Sequence, residues 1–272
     1  MKRKLLFVLP MLLLSSCSSQ NFVLGLGGEG VPVGQYASKI LEYYEIDEAK
    51  LKEKGLVSYG ADVKEVTTQV KESSVSAGVI YKTDAFSANL KVVDAATKEM
   101  CGQVIYPAAL IANNVSETQK ATAKSFLDYL TTESAMAAFE GVGFTRMAEV
   151  RTPAAITTEA VEINVYAAAS LTESLTSIKN SYVATNTNVT ININFGSSGK
   201  LQTQIEEGKE KCDIFISAGK KQMDALQEKS LLAENSRFDI LENKVVLAVP
   251  DNNPFNLQSF DDLANKLREL LK

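Results

Sequence analysis

The chain has 272 residues, 45% of them hydrophobic and 22% charged, and a net charge of −5. That length suffices for two lobes of roughly 100–150 residues with ample core, and the composition is that of a soluble globular protein. The acidic balance, without a basic face interleaved with aromatics, argues against nucleic acid, and the absence of histidine removes the commonest general base and metal ligand.

The chain opens with Lys2-Arg-Lys4, an apolar stretch Leu5–Leu14 and the ending Leu14-Ser-Ser-Cys17. Ten apolar residues cannot cross a hydrocarbon core of ~30 Å, so residues 1–17 read as a signal peptide. The ending resembles a bacterial lipobox, which implies cleavage before Cys17 and lipid on its thiol, outside the cytoplasm. Phe22–Leu26 then reads as a strand, Gly27-Gly-Glu-Gly-Val-Pro-Val-Gly34 as a glycine-rich turn, and Gln35–Tyr44 as a helix. Strand, glycine turn and helix admit a nucleotide-dependent enzyme using the Gly25–Gly34 loop, although no clean G-x-G-x-x-G opens the helix.

A polar helix is expected around Glu48–Lys54, a strand near Leu56–Tyr59, and a helix opening at Asp62. Val75–Tyr81, Lys91–Val93 and Val104–Leu110 read as strands, the first ending in Lys82-Thr-Asp-Ala85. Ser116 caps a helix through Leu130, and Ser134–Phe139 forms another. Ala148–Val161 carries Pro153, several Ala and Thr residues and no amphipathic period, and reads as a linker. Cys101 and Cys212 are expected to stay unpaired: their places on the strands differ by about 16 Å, beyond the reach of a disulfide.

Ile163–Tyr166 is a short strand followed by three alanines. Ser170 stands at the expected N-cap of the next helix, with Glu173 completing a capping box. Val189–Phe195 alternates as a strand, Gly196-Ser-Ser-Gly199 turns the chain, and Leu201, Gln204 and Ile205 begin another helix. Two strand–Ser–helix units in succession converge on one edge of a parallel sheet, where small ligands bind in open α/β folds, and helix starts offer N–H groups to anions. Each remains readable as an ordinary capped helix.

Tyr166-Ala-Ala-Ala-Ser-Leu-Thr172, Phe195-Gly-Ser-Ser-Gly199, Cys212-Asp-Ile-Phe-Ile-Ser-Ala218, Gln222-Met-Asp-Ala-Leu226 and Asn243-Lys-Val-Val-Leu-Ala-Val-Pro250 resemble the first half of molybdate-binding proteins of ABC importers. Val31-Pro-Val-Gly34, Ala61-Asp-Val-Lys64, Ala77-Gly-Val-Ile-Tyr-Lys-Thr-Asp84, Val104-Ile-Tyr-Pro107 and Gly141-Val-Gly-Phe144 resemble their second half. The second half comes first, so the resemblance runs in circularly permuted order; the alternative is a misassembled reading frame.

The resemblance implies a two-lobed α/β periplasmic-binding-protein-like fold of type II with a cleft between the lobes, one lobe from residues 22–102 plus 251–272 and the other 103–250. It implies a monomeric, lipid-anchored extracytoplasmic protein without cofactor or direct metal ligands, which captures molybdate or tungstate and delivers it to an ABC permease. The ligand would be held by neutral donors: the hydroxyls of Ser170 and Ser198, the backbone N–H groups near Val33 and Val63, and the hydroxyl of Tyr81. By side chain alone Val33 and Val63 read as core, with a backbone role only, and Tyr81 reads equally as a buried core tyrosine. Sulfate or phosphate in the same fold is the close alternative. Lys200 reads as a solvated first-turn residue, and Gly27, Gly28 and Gly30 stand where relatives tend to carry Asp, Pro and His.

Overall fold

The computed structural model describes residues 21–113, 115–208 and 211–272; the signal peptide and Cys17 lie outside them. The strands are β1 (Leu24–Gly27), β2 (Val57–Gly60), β3 (Ala77–Tyr81), β4 (Lys91–Ala95), β5 (Val104–Leu110), β6 (Thr145–Arg146), β7 (Val161–Ala168), β8 (Val189–Gly196), β9 (Ile214–Ile216), β10 (Phe238–Asn243) and β11 (Val245–Val249). The helices are α1 (Pro32–Tyr43), α2 (Glu48–Glu53), α3 (Val63–Lys71), α4 (Lys82–Ala88), α5 (Lys98–Cys101), α6 (Glu117–Tyr129), α7 (Glu133–Gly141), α8 (Thr172–Thr185), α9 (Ser198–Glu207), α10 (Lys220–Glu228) and α11 (Phe260–Leu271).

Two sheets form two lobes, in the order β2-β1-β3-β11-β4 and β6-β10-β5-β9-β7-β8. In the first, β1 pairs parallel with β2 and β3, whereas β11 is antiparallel to both β3 and β4. In the second, β7 pairs parallel with β8 and β9, whereas β5 is antiparallel to β9 and β10. Apart from the short edge strand β6, the two orders are the same. With β6 set aside, each sheet takes four strands from one half of the chain and receives its antiparallel strand from the other half, at the crossings β4–α5–β5 and β10–β11.

The hydrophobic pattern explains the elements. β3 and β11 are buried along their whole length, as strands covered on both faces must be. Asp62, Ser116 and Ser259 accept hydrogen bonds from Glu65, Gln119 and Asp262 N–H and cap α3, α6 and α11, each satisfying one orphan donor. Residues 151–157 carry neither helix nor strand, and β7 begins at Val161. The expected division at residue 250 differs from the pairing: β11 lies in the first sheet, so the chain crosses at Lys244. Lys82–Ala85 does not extend its strand but opens α4. In the first lobe α11 packs near α2, with Lys54 Nζ donating to Leu270 O at 2.9 Å, and the Phe22 and Phe255 rings meet edge to face at 5.0 Å.

Candidate functional site

The ends of β1, β2, β7 and β8 point at one another across the space between the lobes, and the helices that follow them start there. The cavity they enclose is lined by Asp62 and Val63 of the first lobe and Ser170, Ser197, Ser198 and Ala218 of the second, among others. It measures about 10 Å³, room for about one water-sized sphere. The lobes are closed on it. Gly199 N–H donates to Gly30 O across the cleft at 3.1 Å, and Lys64 Nζ lies 2.7 Å from Glu173. Two roomier cavities, of about 480 and 840 Å³, are each lined by the second lobe alone.

Ser198 is fully buried at the first position of α9, and its Oγ accepts from the N–H of Ala218 at 3.0 Å. With its oxygen engaged by a fixed donor, its own hydrogen is available to the cavity. Ser170 does not cap a helix. It sits within a 3-10 turn, Ala169–Leu171, and α8 starts after Leu171 with no side-chain cap. Its Oγ is instead 2.8 Å from Tyr106 Oη, and Glu173, expected to close the capping box, reaches Lys64. The local cap loses because buried hydroxyls require partners and Tyr106, 64 residues away, supplies one.

Val63 is the first residue of α3, behind its cap Asp62, whose carboxylate is turned to Glu65 N–H at 3.0 Å. Its N–H is one of the orphan donors of a helix start, where the partial positive charge favours an anion. Val33 is fully buried, one residue inside α1, and the cavity wall there is Val31 and Pro32. Tyr81, at the end of β3, is also buried and does not line the cavity. Its hydroxyl donates to Ala218 O at 3.4 Å, and burial holds its phenol well above the ordinary range, so it stays a donor. The cavity wall carries no lysine or arginine, and Lys200, in the first turn of α9, is exposed. Such a site offers neutral donors and helix N-termini to a small anion.

Residues 20–145 and 163–271 match the family of bacterial extracellular solute-binding proteins. The chain belongs to that family. This solute-binding protein is 35% identical over 128 residues, 47% of its length and 46% of the relative's, to a putative ABC transporter substrate-binding lipoprotein, YvgL, of Bacillus subtilis. It is 37% identical over 111 residues, 41% of its length and 42% of the relative's, to the molybdate-binding protein ModA of Mycobacterium tuberculosis. These matches span about half the length of the curated relatives. A phosphate-binding protein of a phosphate ABC transporter from Streptococcus pneumoniae has the same fold, with a TM-score of 0.54 at 13% identity over 92% of this chain and 96% of that one. Membership in a solute-binding family displaces the enzyme reading of the glycine loop, whose glycines serve close packing: a Cβ on Gly34 would lie 2.2 Å from Gly27 O.

Asp84, Tyr106 and Asn243 were not singled out as site residues by sequence. Asp84 is 1% exposed, its Oδ1 lies 3.2 Å from Lys64 Nζ, and burial raises its carboxyl from 3.8 to about 6 despite that lysine. For Tyr106 the available signal was a polar side chain inside the apolar strand run Val104–Leu110; Asp84 lies in α4, just past such a run.

Proposed function

We propose that this solute-binding protein captures molybdate or tungstate between its lobes and delivers it to an ABC permease. The observation that carries the reading is the pair of buried serines, Ser170 and Ser198, facing the Val63 helix start in a cavity without cationic side chains. A tetrahedral dianion accepts hydrogen bonds in every direction, and a wall of neutral donors suits it. Val33 and Val63 add backbone N–H groups to the donor set, and the Tyr81 hydroxyl, which donates to Ala218 O in this closed form, joins it by turning from that carbonyl to the ligand. The partial likeness to the molybdate-binding relative supports the choice of anion. Ligand contacts in both lobes favour the closed form by their differential affinity, and closure is what a permease would recognise. Isothermal titration with molybdate, tungstate, sulfate and phosphate tests the reading: tight binding of the first two is expected, and binding of sulfate or phosphate alone would replace it with the close alternative.

The same proposal places the protein outside the cytoplasm, anchored by lipid on Cys17, with the chain in circularly permuted order. Support for the permutation is the family match in two stretches flanking residues 146–162 and the linker composition between them. Joining Lys272 to Phe22 and starting the chain at Val161 should give a protein that folds and binds the same anion.

A further inference from the structure

A line of buried polar groups runs from the crossing between the lobes to the serines. Thr83, Asn243, Tyr106 and Ser170 are 1%, 4%, 0% and 3% exposed. Asn243 Nδ2 lies 2.9 Å from Thr83 Oγ1 and 3.2 Å from Tyr106 Oη, and Tyr106 Oη lies 2.8 Å from Ser170 Oγ. The direction of the line is set at one end. Lys244 N–H donates to Asn243 Oδ1 at 2.8 Å. A backbone N–H can only donate, so the oxygen of the amide faces Lys244 and its nitrogen faces Thr83 and Tyr106. That nitrogen has no lone pair to offer, so Tyr106 Oη accepts from it. The phenol hydrogen then has Ser170 Oγ as its acceptor. Were Ser170 the donor, the phenol hydrogen would be buried with no acceptor among the described residues, a costly arrangement. Burial also holds the Tyr106 phenol well above the ordinary range, so the hydrogen is retained.

We propose that Tyr106, oriented by Asn243, is a positioning residue that fixes Ser170 as a donor to the bound oxyanion and so favours fully deprotonated oxyanions over those that carry a proton. The inference rests on the oxyanion reading above. Ser170 reaches by a side-chain relay what Ser198 reaches through the N–H of Ala218: an oxygen engaged behind and a hydrogen free in front. Molybdate and sulfate present only acceptors to such a hydroxyl. Hydrogen phosphate, the dianion near pH 8, carries an O–H that needs an acceptor, and a serine fixed as donor denies it one.

The test is isothermal titration near pH 8 with molybdate, sulfate and inorganic phosphate, the last by competition with molybdate where it is weak. The proteins are the wild type, Tyr106→Phe, Ser170→Ala and the double variant, with thermal melts to check folding. Tyr106→Phe should weaken molybdate and sulfate about tenfold, the worth of an ordinary hydrogen bond, and phosphate distinctly less, so that the molybdate-to-phosphate ratio falls. In the Ser170→Ala background the same substitution should leave that ratio unchanged. Asn243→Asp lets Tyr106 donate backwards and should weaken molybdate further still. Equal weakening of all three anions, an unaltered effect without the Ser170 hydroxyl, or wild-type affinity in Asn243→Asp overturns the positioning role while leaving the oxyanion reading intact. A wild type that binds no oxyanion overturns both.

Discussion

Gly199→Ala separates the contribution of lobe closure from that of lobe stability. Gly199 is the second residue of α9, and a Cβ there would lie 2.3 Å from Gly30 O and 2.8 Å from Gly30 Cα in the opposite lobe. Both atoms are backbone, so the clash is relieved only by moving the lobes apart. A carbon–oxygen contact of ~3.3 Å requires about 1 Å of separation. Donors of one lobe that would sit ~2.8 Å from a bound anion then lie beyond hydrogen-bond range. Loss of two such bonds at ~1.5–3 kcal/mol each amounts to ~3–6 kcal/mol, or about a hundredfold to ten-thousandfold in affinity. Within its own helix the same alanine is favourable by up to ~1 kcal/mol. Titration calorimetry with molybdate should therefore show a large loss of affinity, while thermal unfolding without ligand is unchanged or slightly later. An alanine variant that binds molybdate as the wild type does would refute closure at this contact in the bound state.

Removing one serine hydroxyl, by Ser198→Ala or Ser170→Ala, should each weaken molybdate binding by ~1.5–3 kcal/mol, whereas Lys200→Ala changes it much less; a larger loss for the lysine would contradict a site of neutral donors. Molybdate at a thousandfold excess over Kd should stabilise the protein by ~4 kcal/mol, visible as a raised Tm, and a shift with sulfate but not molybdate would redirect the choice of anion. Asp84 faces Lys64 directly and Glu173 and Asp62 more distantly, and its carboxyl is raised from 3.8 to about 6. A raised acid favours the fold in its protonated form, so the stability present below about pH 4 is lost as pH rises to 6, by ~3 kcal/mol at most. Asp84→Asn should thus be more stable than the wild type at pH 7.5 and no more stable at pH 4, with Glu173 still holding Lys64; urea unfolding with parallel pH profiles for both would refute the assignment. Palmitate should label the wild type but not Cys17→Ala, and an unlabelled wild type would remove the anchor.

What the sequence disclosed depended on how far each residue's partner lies along the chain. Asp62 and Ser116 bond within their own first turn, and both were legible as helix starts. Ser170 has the same local signature, yet its partner is Tyr106, and no short-range rule reveals which bond wins. The family resemblance brought Val63, Ser170 and Ser198 to one cavity because their motifs are contiguous. It offered nothing on Tyr106 and Asn243, whose roles come from the pairing of β5 with β10, strands far apart in the chain. Val245–Val249 reads as a buried strand in either sheet, and only its pairing with β3 and β4 assigns it. Lys82–Ala88 has a helix too short to show a period.

The exchange of strands between the sheets also orders events in time. β3 and β4 are neighbours in sequence but not in space, because β11 lies between them, and β11 is made only after almost the whole chain. Until then the first lobe has no closed sheet, and its longest-range pairing carries the largest loop-closure entropy. A nascent or truncated chain ending before Val245 holds that gap open with two unpaired edges. The first lobe, although begun first, is therefore finished last.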